Sequence, residues 1–260
     1  MQTVIFSDTI FGPIHSRRLG VSLGVNLMPR DGKICSFDCL YCEAGFNAQG
    51  PGTSGLPTRQ EVKELLSQKL QAMHSAESPL DVITFSGNGE PTIHPDFAGI
   101  VDDVLSLRNK YYPKAKVSVL SNSTQLHRPD VVEALRRIDN NILKLDSAVE
   151  ATMRTLDRPG ADSFTVSNVI PQLAQFAGQA IIQTMFTYGE YDGQSVDNTT
   201  DAEVDALIDA YRCIKPAEVM VYSIDRKTPA QNLHKVDADK LRHIANRIAD
   251  ATGIPVQLTV

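Results

Sequence analysis

The sequence CSFDCLYC at residues 35–42 contains three of the four cysteines of this 260-residue chain, in the spacing C-x3-C-x2-C. Cysteines this close together are soft ligands, and they favour a metal centre over a disulfide that staples the fold. A [4Fe-4S] cluster has four irons, so three thiolates leave one iron without a protein ligand. The spacing therefore predicts a metal site on Cys35, Cys39 and Cys42 with one position open to a small molecule.

Zinc is the alternative metal for these cysteines. A structural zinc ion takes four tetrahedral ligands, usually as two separated pairs. The fourth ligand would have to come from His15, His94 or Cys213, none of which lies near residues 35–42 in the sequence. Ligand number therefore favours the cluster.

Apolar runs and helical patterns alternate on the C-terminal side of the cysteines. Residues 21–28 are apolar and β-branched and predict a strand that precedes the cysteine loop. Residues 11–20 are rich in turn formers and predict an ordered loop, and residues 255–260 predict a short apolar tail. Further strands are predicted at 81–86, 116–120, 141–145, 180–186 and 218–223. Helices are predicted at 58–74, 95–111, 129–138, 163–176, 200–213 and 237–251.

Six strand-helix repeats predict parallel strands joined by right-handed helical crossovers. Six units are too few to close an eight-stranded barrel. We expect one α/β domain over residues 1–260, with the functional groups at the C-terminal ends of the strands.

Two motifs together resemble the radical SAM superfamily: the three cysteines with an aromatic residue, Tyr41, before the third, and the sequence GNGEP at residues 87–91. With residues 11–20, the chain looks like iron-sulfur oxidoreductases that are distantly similar to the wyosine-base-forming enzymes of tRNA. The resemblance implies a partial (β/α)6 TIM-type barrel with an open side. It also implies a [4Fe-4S] cluster whose open iron binds S-adenosylmethionine (SAM), and an enzyme that cleaves SAM reductively. The 5′-deoxyadenosyl radical so formed would take a hydrogen atom from a substrate.

The resemblance also implies which residues bind the cofactor. Residues 87–91 are similar to the GGEP motif that contacts the amino group of the methionine moiety, and Asn88 departs from that pattern. Polar residues at later strand ends resemble ribose and carboxylate contacts, although each could instead be a structural hydrogen bond. The predicted cofactor-binding residues are Tyr41, Gly87, Gly89, Glu90, Asn122, Asp146, Ser147 and Gln183.

Three other features have two interpretations each. Arg17 and Arg18 suit bidentate binding of a carboxylate or phosphate, or pair with structural carboxylates. Residues 223–229 bring charges to the expected barrel mouth and are either a substrate-recognition loop or a solvated loop. Cys213 is predicted to be a buried or inert thiol, with hydrogen-atom donation as the alternative.

Composition limits the partners. The formal net charge is -6 and no basic run is present, which slightly favours a protein or small-molecule substrate over RNA. The N-terminus lacks a signal-peptide pattern and no apolar stretch is long enough to cross a bilayer, so we expect a cytoplasmic protein with no membrane partner. The resemblance implies an electron donor such as flavodoxin or ferredoxin. The rival functions are a non-catalytic iron-sulfur carrier or scaffold and a zinc-stabilised hydrolase.

Overall fold

The computed structural model describes residues 4–16 and 18–260, in which ten strands form a sheet flanked by seven α-helices. The strands are β1 (Ile10–Ser16), β2 (Gly20–Val25), β3 (Val82–Phe85), β4 (Lys116–Ser121), β5 (Asn140–Lys144), β6 (Ile181–Tyr191), β7 (Gln194–Asp197), β8 (Glu218–Ser223), β9 (Leu233–Lys235) and β10 (Val256–Thr259). The helices are α1 (Arg59–Ser75), α2 (Phe97–Tyr111), α3 (Pro129–Arg136), α4 (Glu150–Asp157), α5 (Val166–Ala174), α6 (Asp201–Ile214) and α7 (Ala238–Thr252). In this part of the chain no helix is long and apolar enough to cross a membrane.

Seven strands run parallel in the order β2-β3-β4-β5-β6-β8-β10. Strand β1 adds to one edge of this sheet in antiparallel orientation, and β10 forms the opposite edge. The two edges do not pair with each other within the described residues, so the sheet stays open. The predicted α/β barrel of parallel strands with an open side is therefore confirmed.

Two predictions at the ends of the sheet are wrong. Residues 11–20 were expected to form a loop, but most of them belong to β1, which pairs with β2 across an irregularity between Phe11 and Ile14. An edge strand with a bulge tolerates the turn-forming glycine and proline that disguised it. The tail at 255–260 contains β10, whose Val256 pairs with Val219 of β8.

Helix α4 is a third difference, because no helix was predicted between the fourth and fifth parallel strands before residue 163. It ends at Asp157, and Arg158 follows in a left-handed conformation with φ +50°. Its buried residues Met153 and Leu156 are too few to produce a strong helical period in eight residues.

Helix α1 shows how the helices were predictable. Thr58 and Glu61 form the expected capping box at its N-terminus. The buried side chains Val62, Leu66 and Leu70 recur every four residues and pack against the sheet. Local sequence therefore places this helix to within one residue of its observed ends.

Strand β3 is buried on both faces, as expected for a parallel strand between helices and a barrel interior. The aromatic ring of Phe85 packs edge-on against Phe97 of α2, with 5.6 Å between the ring centroids. The turn after β3 is thereby fixed to the core.

This turn depends on a glycine. Gly89 has φ +139°, and a Cβ atom built on it would lie 1.8 Å from the carbonyl oxygen of Ile34. The two chains meet as a short parallel ladder: Ile34 N–H donates to Asn88 O (3.1 Å) and Glu90 N–H donates to Ile34 O (3.1 Å). Gly89 thus sets how closely the segment entering Cys35 approaches the end of β3.

We expect Gly89→Ala to lower the free energy of unfolding by about 2 to 4 kcal/mol, because it combines an unfavourable φ with a backbone collision. Urea denaturation of the metal-free protein would measure the change. Gly193→Ala is the matched control, since Gly193 also has positive φ (+74°) but no atom lies within 4 Å of its added Cβ. Equal losses in the two variants would contradict the assigned role of the contact with Ile34.

Candidate metal and cofactor site

All three clustered cysteines line one cavity of about 320 Å³ at the C-terminal ends of the parallel strands. Its wall also includes residues that follow β3, β4 and β8. Five of the predicted cofactor-binding residues lie on this wall: Tyr41, Gly89, Glu90, Asn122 and Gln183. The fold therefore brings the cysteine motif and the GNGEP turn to the same cavity.

The cysteine loop is held by backbone hydrogen bonds on both sides. Leu40 N–H donates to Leu156 O (3.0 Å), and Leu40 O accepts from Ala230 N–H (3.1 Å). The Leu40 side chain is fully buried and packs with Leu156 and Met185 in a small second core. Apolar packing thus anchors the middle of a loop that carries polar ligands at both ends.

Asn47 closes the loop from the far side. Its side-chain amide donates to the carbonyl oxygens of Cys35 (3.2 Å) and Phe37 (3.1 Å), and its N–H donates to Asp38 Oδ1 (2.6 Å). Lys33 Nζ adds a bond to Gly45 O (2.7 Å). These contacts fix the loop backbone by interactions within the protein.

The thiols lie in an environment that opposes their ionisation. Burial raises the pKa of Cys35 to about 12 and raises the pKa of Cys39 well above its ordinary value. A metal ion that binds here must displace these protons and supply the compensating positive charge. Asn122 Nδ2 lies 3.5 Å from Cys35 Sγ and can donate to the sulfur.

The donor set suits a multi-iron cluster better than a single ion. Within residues 4–16 and 18–260, no group of three or more His, Cys, Asp or Glu side chains is arranged to hold one metal ion. In a [4Fe-4S] cluster each cysteine binds a different iron, so the sulfurs do not have to converge on one point. Three thiol ligands lining one cavity, with an amide donor to one sulfur, therefore fit the predicted cluster.

Glu90 is satisfied by the protein itself. One carboxylate oxygen accepts from Thr92 N–H (3.1 Å), Thr92 Oγ1 (2.5 Å) and Ser121 Oγ (2.8 Å), and the other accepts from Asn122 N–H (2.6 Å). Burial, opposed by these hydrogen bonds, raises the pKa of Glu90. The side chain therefore joins the ends of β3 and β4 across the cavity wall.

Three predicted cofactor-binding residues do not line the cavity. Gly87 lies against Asn26 in the turn after β3. Asp146 is buried and accepts from Met185 N–H (2.9 Å), and Ser147 is buried and donates to Glu203 Oε2 (2.6 Å). The polar groups of Asp146 and Ser147 have partners inside the protein, as the alternative of structural hydrogen bonds at the strand ends expects.

Lys144 is a cavity residue that the sequence reasoning missed. Its ammonium group contacts Asp146, lies 3.1 Å from Asp157 Oδ1, and sits 4.5 Å from the centre of the Tyr41 ring. Tyr41 also donates its hydroxyl hydrogen to Asp146. A lysine directly after the apolar residues Ile142 and Leu143 at the end of β5 was the available signal.

Of the remaining predicted residues, some line the cavity and others do not. Arg18 lines the cavity, as do Ile224, Arg226 and Thr228 of the predicted recognition loop, whereas Arg17 lies outside the described residues. Cys213 was predicted to be a buried or inert thiol; it is exposed, so the prediction of burial is wrong. It occupies the penultimate position of α6 and is not part of the cavity wall.

The sequence profile of the radical SAM superfamily matches residues 31–170, more than half of the chain. The chain therefore belongs to the radical SAM superfamily. Members of this superfamily are enzymes that use a [4Fe-4S] cluster and SAM, which agrees with the class and cofactors predicted from the motifs.

Related proteins include the UPF0026 protein of Helicobacter pylori strain J99, 28% identical over 221 residues, and the UPF0026 protein slr1464 of Synechocystis, 29% identical over 275 residues. The first match covers 84% of this chain and 66% of the relative, and the second covers 95% of both. A further Helicobacter relative is covered over 58% of its length. The chain thus spans about two thirds or less of the Helicobacter proteins.

Solved structures share the fold at low sequence identity. A radical SAM methyltransferase from Sphaerobacter thermophilus matches with a TM-score of 0.66 and 14% identity, over 92% of this chain and 65% of that one. TYW1 with a lysine-pyruvate adduct bound matches with a TM-score of 0.58 and 13% identity, over 88% and 73% of the two chains. The second match confirms the predicted likeness to wyosine-forming enzymes at the level of the fold.

The buried carboxylates beside Lys144 predict a pH dependence of stability. Burial raises the pKa of Asp157 to about 8, whereas an unfolded aspartate has a pKa of about 4. Between these values the unfolded chain releases a proton that the folded chain retains, so this residue makes stability fall as pH rises. We expect Asp157→Asn to flatten the decline.

Urea unfolding of the reduced, metal-free protein at several pH values across this range would measure that slope. Asp209→Asn, at an exposed position on α6, is the control. An unchanged slope in Asp157→Asn would show that Asp157 is ionised in the folded protein.

Proposed function

We propose that the chain is a radical SAM enzyme that cleaves SAM reductively and abstracts a hydrogen atom from a substrate. The observation that carries the proposal is the shared cavity, whose wall contains three thiol ligands together with Gly89, Asn122 and Gln183 at the C-terminal ends of the strands. A site for metal ligands alone would not require the polar side chains of Asn122 and Gln183. The arrangement supports binding of a second, polar cofactor beside the cluster.

The proposal gives each part of the chain a role. Cys35, Cys39 and Cys42 would hold the cluster and leave one iron for SAM. When bound, the reduced cluster would supply the electron for reductive cleavage of SAM and thereby for abstraction of hydrogen from the substrate. The protein positions and shields these groups.

The cofactor contacts come from the walls of the cavity. The Gly89 backbone lines the cavity, and the Asn122 and Gln183 side chains offer hydrogen-bond donors and acceptors. Tyr41 contributes an aromatic face. Glu90 acts through the backbone that it holds, because all its strong contacts are within the protein.

Partners follow from the same scheme. Radical SAM enzymes generally need an electron donor, and we propose a small redox protein such as flavodoxin or ferredoxin. A second cavity of about 390 Å³ shares Cys42, Glu43 and Arg226 with the first, so the cluster loop is reached from a second side. The substrate that enters by this second cavity would be a protein, a small molecule or an RNA base.

The central test is the formation of 5′-deoxyadenosine by anaerobic protein that has been reconstituted with iron and sulfide, reduced and mixed with SAM. We expect product from the wild type and none above background from Cys39→Ala, because the cluster loses one of three thiolate ligands. Mass spectrometry would quantify the product. Cys213→Ala is the matched control, since it removes a thiol that is exposed and outside the cavity.

Undiminished SAM cleavage by Cys39→Ala would contradict the scheme. Wild-type protein that holds the cluster but neither cleaves SAM nor changes its cluster spectrum on SAM addition would instead be an iron-sulfur carrier. Colourless protein with one zinc ion and no iron would favour the zinc-stabilised hydrolase.

A further inference from the structure

Arg18 differs from the other charged side chains of the cluster cavity. Its Nη1 nitrogen is buried and has no hydrogen-bond partner. No carboxylate within the described residues forms an ion pair with it, and the guanidinium lies over the ring of Tyr222, 4.5 Å from the centroid. Arg18 is half-buried, and a guanidinium with a buried nitrogen that lacks both a hydrogen-bond partner and a counter-charge is receptive to an anion.

The carboxylates that could neutralise Arg18 have other partners. Glu90 accepts four hydrogen bonds at the ends of β3 and β4. Glu43 pairs with Arg226 (2.5 Å), and Asp225 lies 3.4 Å from Lys235. The protein therefore offers Arg18 no free acidic side chain on this wall.

The other cation of the inner wall is already balanced. Lys144 contacts Asp146, and its Nζ also lies 3.1 Å from Asp157 Oδ1, so the ammonium charge is balanced within the protein. An anion entering the cavity would meet a balanced ion pair at Lys144 and an uncompensated guanidinium at Arg18. The charge distribution thus directs it to Arg18.

Arg18 reaches the cavity from a different direction than the SAM-binding elements. It lies in the turn between β1 and β2, at the N-terminal end of β2, whereas the cysteines and Gly89 follow the C-terminal ends of β2 and β3. Its carbonyl oxygen accepts from Gln257 Nε2 of β10 (3.4 Å), which places the turn beside the opposite edge of the sheet. Arg18 and Tyr222 therefore form the wall at the open side of the barrel.

We propose that Arg18 is an anion-binding residue for the substrate, and that the substrate presents a carboxylate or a phosphate to it. This inference rests on the proposed function, in which the substrate is the molecule that loses a hydrogen atom. The planar guanidinium matches both groups through paired N–H donors. Stacking on Tyr222 holds the guanidinium plane in place before the ligand arrives.

Calorimetric titration of the cluster-loaded protein with inorganic phosphate, and separately with acetate, tests the site. We expect at least one of the two anions to bind wild type and the dissociation constant to rise about tenfold or more in Arg18→Met. Arg18→Lys should retain part of the affinity because it keeps the charge. Arg242→Met, which removes an exposed arginine on α7, is the control and should bind like wild type.

SAM also carries a carboxylate, so the experiment must separate binding of SAM by Arg18 from binding of the substrate. SAM affinity, measured from the change in the cluster spectrum, makes this distinction. We expect Arg18→Met to leave SAM affinity within about twofold of wild type and the anion to bind in the presence of saturating SAM. Absence of anion binding by wild type, competition between the anion and SAM, or a tenfold loss of SAM affinity in Arg18→Met would each overturn the proposal. A chain that binds the anion through Arg18 but never cleaves SAM would overturn the proposed function alone.

Discussion

The contact between Ile34 and Gly89 is the constraint on which the site depends. A backbone carbonyl occupies the space where any other residue at position 89 would place its Cβ atom. Two N–H···O bonds make the contact directional as well as close. As a result the segment directly before Cys35 is fixed against the end of a buried strand, and the sheet restrains the position of the cysteine loop.

Glu90 extends that constraint to the next strand. Its carboxylate accepts hydrogen bonds from the turn after β3 and from the end of β4, including one from the backbone N–H of Asn122. The Asn122 side chain then contacts Cys35 Sγ and Ser36 Oγ (3.0 Å). A buried carboxylate stabilises the cavity wall only while all of its hydrogen-bond donors are present. The network of Glu90 and Asn122 therefore connects the cysteine loop with the ends of β3 and β4.

Charge is distributed unevenly around the cavity. The inner wall has a lysine between two buried aspartic acid side chains, and the mouth has the exposed pair of Glu43 and Arg226. Arg18 differs from them because no carboxylate within the described residues forms an ion pair with it, and its guanidinium lies over the Tyr222 ring. A site arranged in this way can hold a zwitterionic cofactor on one side and attract an anionic group on the other.

The sequence by itself determined the parts of this protein that are local. The cysteine spacing, the GNGEP turn and the six strand-helix repeats are each encoded within a few consecutive residues, and they led to the superfamily and the open barrel. Tyr41, Gly89, Glu90, Asn122 and Gln183 could be placed at one cavity because parallel strands end at one edge of the sheet. Only the tertiary structure decided the direction of Asp146 and Ser147, whose hydrogen bonds run to Met185 and Glu203 on distant elements. Residues 11–20 contain an edge strand that pairs with the neighbouring β2, and the irregularity between Phe11 and Ile14 conceals its alternation. Only the tertiary structure brought Arg18 to Tyr222, because a contact between remote segments leaves no periodic signal in either one.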